Sequence, residues 1–150
     1  MAIQTTDSLQ GQDRLLAEKA LEATAMSYAP YSHFHVGAAV LMEDGEVYTA
    51  ANQENAAYPA CVCAERIALL YAMAHSKTRP VALAVTARTS GVQVAQAVTP
   101  CGECRQVLCE AETRYGAPIR ILMCGKEQIL TADSATDLLP GGFSAENLHK

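Results

Sequence analysis

Three cysteines and one glutamate carry the strongest chemical signal in the sequence. Cys101 and Cys104 form a C-x-x-C pair directly after Pro100, at the start of a stretch with helical composition, so both sulfurs can point at one spot. Alone, that spacing also serves zinc knuckles and thioredoxin-like redox pairs. Cys63 stands well upstream at the start of a second helical stretch, so two helix starts can face each other across a metal. Three thiolates suit zinc and leave its fourth tetrahedral position open, the feature that separates a catalytic zinc from a structural one. Glu65, two residues after Cys63, can set a carboxylate beside that position without becoming a ligand, as a proton shuttle for a water there requires.

Three thiolates around a divalent ion leave an excess of negative charge, which works against ionising the water. Two helix N-termini offset part of it with partial positive charge and N–H donors, and Arg66 can lay its guanidinium against one or two sulfurs. Arg66 is therefore expected behind the metal, acting on its acidity. Cys61, Cys109 and Cys124 read as small core or near-surface thiols. Cys109, five residues past Cys104, falls roughly 140° round the helix from it. His33 and His35 flank Phe34, but a complete three-thiolate set makes them redundant as ligands, and they are expected to be structural or surface groups.

The elements that must position these groups follow from periodicity. Apolar residues at helical spacing from Gln12 to Tyr28 predict an amphipathic helix ending near Ala29-Pro30. Residues 34–42, the turn Glu43-Asp44-Gly45 and residues 46–50 predict a hairpin. Ala64 to His75, rich in Ala, Leu and Met, predicts a helix opening at Cys63. Val81 to Ala87 predicts a buried strand, residues 89–99 a polar connection, and Arg105 to Tyr115 a helix stopped by Gly116. Ile119 to Met123 predicts a further strand, with a short strand at Ile129 to Ala132 and a short helix at Ala135 to Leu139 in the tail. That order describes a sheet with helices on its faces.

Composition narrows the function. The 150 residues are half apolar and 18% charged, as in an ordinary globular protein, and are read as a single domain, 1–150. A net charge of −5 lacks the basic footprint of nucleic-acid binding, so no nucleic acid is expected as partner or substrate. The polar start has neither a basic n-region nor an apolar h-region, and no run is long enough to span a membrane, so a cytoplasmic location is expected. Six cysteines in such a chain point toward metal or catalytic use rather than disulfides.

The run Cys63-Ala64-Glu65-Arg66, followed by Pro100-Cys101-Gly102-Glu103-Cys104-Arg105-Gln106-Val107, resembles the cytidine deaminase family of zinc nucleoside deaminases. Tyr28-Ala29-Pro30-Tyr31-Ser32, Phe34-His35-Val36-Gly37-Ala38-Ala39, Asn52-Gln53-Glu54-Asn55-Ala56 and Leu138-Leu139-Pro140-Gly141-Gly142-Phe143 look similar to the same family in the same order. The resemblance implies a three-layer α/β/α fold with a mixed five-stranded sheet, and one zinc ion per chain held by Cys63, Cys101 and Cys104. It also implies a homotetramer whose active sites are shared between subunits. Asn52 and Glu54 would hydrogen-bond the ribose, Phe34 would line the sugar and base pocket, Ala64 would offer its backbone to the base edge, and Phe143 would stack on the pyrimidine in a neighbouring subunit. Gln53, Ile67 and Glu103 depart from the residues usual in the family at those places.

The implied reaction is hydrolytic deamination of cytidine and deoxycytidine to uridine and deoxyuridine, a step of pyrimidine salvage. Glu65 takes a proton from the water, the hydroxide attacks C4, and Glu65 delivers protons to N3 and to the departing amine. Two alternatives are weighed beside it. A deaminase of another small aminated heterocycle, such as an aminoacyl-nucleoside antibiotic, would need a different C-terminal pocket. A non-catalytic zinc module would need a fourth protein ligand closing the site.

Overall fold

The computed structural model describes residues 1–148. The chain runs β1 (Ala2–Thr5), α1 (Gly11–Ala23), β2 (His35–Met42), β3 (Val47–Ala51), α2 (Ala64–His75), β4 (Pro80–Thr89), β5 (Val92–Gln93), α3 (Gly102–Tyr115), β6 (Arg120–Cys124) and β7 (Gln128–Ala132), with short 3-10 turns between. The strands form one sheet in the order β1-β7-β6-β4-β2-β3, with β5 paired to β4. Only β4 and β6 run parallel, joined by the crossover that contains α3; every other pair is antiparallel.

Strict alternation in the central strands divides the apolar residues between two faces. Ala38, Val40 and Met42 of β2, Leu83 and Val85 of β4, and Ile121 and Met123 of β6 pack against Ala68, Leu69 and Ala72 of α2 and Leu108 and Ala111 of α3. Ala39, Leu41, Ala82, Ala84, Leu122 and Cys124 face the other way, against Leu16 and Ala20 of α1. The result is the expected α/β/α layering. Each fully buried Leu, such as Leu16, Leu69 and Leu108, contributes about 1.5–3 kcal/mol. Gly37 lets α1 sit directly on β2, because a Cβ there would lie 2.1 Å from the Ala20 carbonyl oxygen.

Among the described residues the sheet has seven strands, where five were expected. The first addition, β1, pairs with the edge of β7, Ala2 opposite Thr131 and Thr5 opposite Gln128. Its residues are mostly exposed, so no apolar alternation marked it. The second, β5, folds back onto the end of β4 through Ser90 and Gly91, both at positive φ. The first helix also stops earlier than its periodicity suggested. It gives way to a 3-10 turn at Thr24–Met26, where the Thr24 hydroxyl donates to the Leu21 carbonyl. The hairpin, the helix opening after Cys63 and the left-handed Gly116 cap follow expectation.

Pairing sets the start of β2, the end of β3 and the end of β4 at one edge of the sheet, since Gly37 is opposite Ala51 and His35 opposite Arg88. The chain leaves β3 there toward α2. The functional residues gather at this edge.

Candidate active site and metal centre

Cys63 and Cys101 are the residues that cap the N-termini of α2 and α3, and Cys104 lies in the first turn of α3. Their sulfurs converge: 3.7 Å separates Cys63 Sγ from Cys101 Sγ, 3.5 Å separates Cys101 Sγ from Cys104 Sγ, and all three lie within 4.8 Å of one another. Sulfurs bound to one tetrahedral zinc at the usual bond length are about 3.8 Å apart, so this soft donor set already has the spacing zinc needs. Among the described residues the cluster has three members and no fourth His, Cys, Asp or Glu. All six cysteines are free.

Charge concentrates on Cys63. Hydrogen bonding from the Cys104 thiol, reinforced by Cys101 and by the Arg66 guanidinium, pulls the Cys63 thiol down to about 5. Cys104, the donor in that pair and itself buried, is pushed up. The Arg66 guanidinium bridges this charge to the surface: it is held beside Cys63, donates to the Cys61 carbonyl at 3.4 Å and pairs with the exposed Glu103 at 3.0 Å. Its buried Nε has no hydrogen-bond partner among the described residues. Glu103 thus competes with the thiolates for the same cation.

Glu65, only 4% exposed, is set in the first turn of α2 beside the cluster. Burial, with a further push from the Cys63 charge, raises its carboxyl to about 7, which lets it hold or release a proton near neutrality. Glu65, Cys63 and Cys101 line the same cleft of about 360 Å³, together with Phe34, Asn52, Glu54, Val98 and Thr99. That volume lies in the range of small-molecule sites.

The other end of the cleft is built from spent hydrogen bonds. Asn52 Oδ1 accepts from Val36 N at 2.9 Å and from Ser27 Oγ at 2.6 Å, while Nδ2 donates to the Phe34 carbonyl at 2.9 Å. Glu54 accepts from Tyr31 N at 2.9 Å, Ser32 N at 3.3 Å and the Ser32 hydroxyl. These donors, the Ser32 hydroxyl first, hold the Glu54 carboxyl below its ordinary range and keep it an acceptor. Phe34 is partly exposed at the wall, and buried Ala64 opens α2 between Cys63 and Glu65. Gln53 spends its amide on the Met26 carbonyl at 3.1 Å.

One expected site residue stands apart. Phe143, 60% exposed, does not line this cleft but lies on the outer side of α3 near Cys109, Thr113 and Leu139. Gln106 Nε2 holds its carbonyl at 2.8 Å. His33 is exposed, and His35 is bound through Nδ1 to Ser27 at 3.1 Å, so neither joins the cysteines. Cys124 is buried in the α1 layer, Cys109 packs on the opposite core, and Cys61 accepts from Asn55 N at 3.2 Å.

Sequence reasoning passed over the residues that hold the others in place. Ser27 and Ser32 orient Asn52 and Glu54, and isolated serines carry no pattern that marks such a task. Buried Glu112 accepts from Ile119 N and Ala135 N at 2.7 Å each and from the Ser134 hydroxyl at 2.7 Å, anchoring the far end of α3. Arg105 donates to the Pro100 carbonyl at 2.8 Å and to the Leu138 carbonyl at 3.1 Å, tying down the turn that presents Cys101. A charged residue inside an otherwise apolar helical stripe was the available signal for Glu112.

Residues 10–115 match the family model for the cytidine and deoxycytidylate deaminase zinc-binding region. The chain belongs to this family. It is 40% identical to a cytidine deaminase of Halalkalibacterium halodurans over 91% of this chain and 97% of that one. It is 39% identical to one of Sporosarcina psychrophila over 91% and 93% of the respective chains. The crystal structure of a cytidine deaminase from Burkholderia pseudomallei superposes with a TM-score of 0.73 at 39% identity, covering 89% of this chain and all of that one. Membership in a zinc-binding deaminase family and the three-cysteine cluster agree on one zinc ion per chain. A module closed by a fourth protein ligand finds no such ligand among the described residues.

Proposed function

We propose that this protein catalyses the hydrolytic deamination of cytidine and deoxycytidine to uridine and deoxyuridine, releasing ammonia. The observation that carries the reading is Glu65: a buried carboxyl lining a nucleoside-sized cleft, beside three convergent thiols and not itself part of their cluster. Cys63, Cys101 and Cys104 would hold the zinc. When bound, the ion supplies the Lewis acidity that makes a water an effective nucleophile near neutral pH.

The protein's own groups do the rest. Glu65 accepts a proton from the water as its oxygen bonds to C4 of the pyrimidine, and passes that proton to N3. It then takes the second proton from the new C4 hydroxyl and gives it to the amino group, which departs as ammonia while the C4 carbonyl forms. Its raised pKa suits a group that must take and give protons in turn. Arg66, beside Cys63, draws off thiolate charge and so preserves the acidity of the centre. Asn52 and Glu54 meet the sugar hydroxyls, one as donor and one as acceptor; Phe34 flanks the sugar and base, and the Ala64 backbone meets the base edge.

The proposal includes a homotetramer with shared sites, in which Phe143 stacks on the pyrimidine in a neighbour's cleft. Its exposure, and its distance from the lining of its own cleft, support that reading. The chain would act as one domain. Among the described residues no helix is long and apolar enough to cross a membrane, and six free cysteines suit the reducing cytoplasm. Loss of cytidine ultraviolet absorbance with stoichiometric ammonia and uridine tests the activity. Zinc-loaded protein that left cytidine unchanged over hours would refute it.

A further inference from the structure

A line of hydrogen bonds behind the cleft determines which role Asn52 can play. A backbone amide can only donate, so the Asn52 atom that meets Val36 N at 2.9 Å is the side-chain oxygen. The nitrogen facing the Phe34 carbonyl at 2.9 Å agrees with that assignment. Ser27 Oγ lies 2.6 Å from the same oxygen, and its single proton must go there. Ser27 then has no proton for His35, whose Nδ1 is 3.1 Å away, so Nδ1 must donate. The donor order is fixed as His35 to Ser27 to Asn52. Both lone pairs of the Asn52 oxygen are filled and one of its two N–H groups is spent. The second N–H is the one side-chain hydrogen-bonding valence left on Asn52, which lines the cleft.

We infer that Ser27 and His35 are positioning residues that lock the Asn52 amide, so that it presents a donor and never an acceptor to the substrate. The chemistry this selects is a sugar edge bearing a hydroxyl oxygen free to accept, opposite a carboxylate, Glu54, that can only accept. One hydroxyl can then satisfy both residues, its oxygen accepting from Asn52 and its proton going to Glu54, so the pair needs no second hydroxyl beside it. Val36 N and the Phe34 carbonyl would suffice to hold the loop, whereas Ser27 and His35 add rigidity and polarity at the amide itself. The inference rests on the proposal that Asn52 contacts the nucleoside sugar.

Steady-state kinetics on Ser27→Ala, with Asn52→Ala as reference, test it. Ser27→Ala should raise KM for cytidine about threefold to tenfold with the turnover number within about twofold, zinc content and melting temperature unchanged. Ser27→Thr, which keeps the hydroxyl, should restore KM. With the 2′-deoxy and 3′-deoxy nucleosides the KM penalty should vanish for the one lacking the hydroxyl that accepts from Asn52. Nitrogen-15 NMR of the neutral His35 ring should find the proton on Nδ1. If Asn52→Ala leaves KM unchanged, the sugar-contact reading falls and this inference with it. If Asn52→Ala raises KM but Ser27→Ala does not, only the inference is overturned. An equal Ser27→Ala penalty on every nucleoside, or a His35 proton resident on Nε2, overturns it as well.

Discussion

The two ends of the cleft are built on opposite principles. At the metal end, Cys63, Glu65 and Arg66 fall within four consecutive positions around the start of α2, and Cys101 to Cys104 within a single turn at the start of α3, so short sequence spacing delivers the groups. Their chemistry is electrostatic: thiolate charge, two helix N-termini and a guanidinium in balance within a few ångströms. At the sugar end, Ser27, Ser32, Phe34, Asn52 and Glu54 come from three separate stretches and are joined by hydrogen bonds spanning up to 25 positions of sequence. Nearly every polar valence there is consumed in holding backbone. The metal end should therefore govern turnover, and the sugar end affinity.

The largest effect should come from the cluster itself. Cys101→Ala should lose zinc and activity together, because removing one of three thiolates undoes a site whose remaining position is meant for water. Metal analysis alongside the cytidine assay checks this, and a zinc-replete, active variant would remove Cys101 from the ligand set. Arg66→Gln should keep the fold and some metal but lower the turnover number roughly 10- to 100-fold, with little change in KM. A rise in KM alone would place Arg66 with the affinity residues and erase the contrast between the ends.

Phe143→Ala tests whether a third contributor belongs to the site. Loss of one stacking ring, worth about 1–3 kcal/mol by analogy with base stacking, should weaken catalytic efficiency roughly tenfold. Oligomers mixed from Phe143→Ala and Glu65→Gln chains should exceed both parents after subunit exchange, because some hybrid sites regain both groups. No gain on verified mixing would return Phe143 to its own chain. The smallest effect is expected for Glu54→Gln, a roughly threefold to fivefold rise in KM. The amide keeps an acceptor for Tyr31 and Ser32 but loses the charge that strengthens such bonds. A drop in turnover number with KM unchanged would contradict the division.

That division also decides what could be seen in the sequence. The metal end was legible residue by residue, since C-x-x-C after a proline and Cys-x-Glu before an Ala- and Leu-rich run are local patterns with local structural consequences. The alternating strands 35–42 and 81–87 were legible because each buries two distinct faces. The strand β1 was not, because it is held by backbone pairing to β7 across more than a hundred residues and buries almost nothing. Ser27 and Ser32 were equally hidden, and Glu112 showed only as a charge inside an apolar helical stripe. Their roles exist only once the fold brings Asn52, Glu54 and the Ile119 and Ala135 amides within reach. Asn52, Glu54 and Phe143 were named through family resemblance rather than through any physical pattern in the chain.

The account turns on Glu65 as the group that moves protons beside a metal it does not bind. Zinc content and cytidine turnover measured on the same preparation of Glu65→Gln test this most directly. The account predicts about one zinc per chain and a turnover number reduced by more than about 100-fold. Turnover within tenfold of the parent, or loss of the metal along with activity, would contradict it.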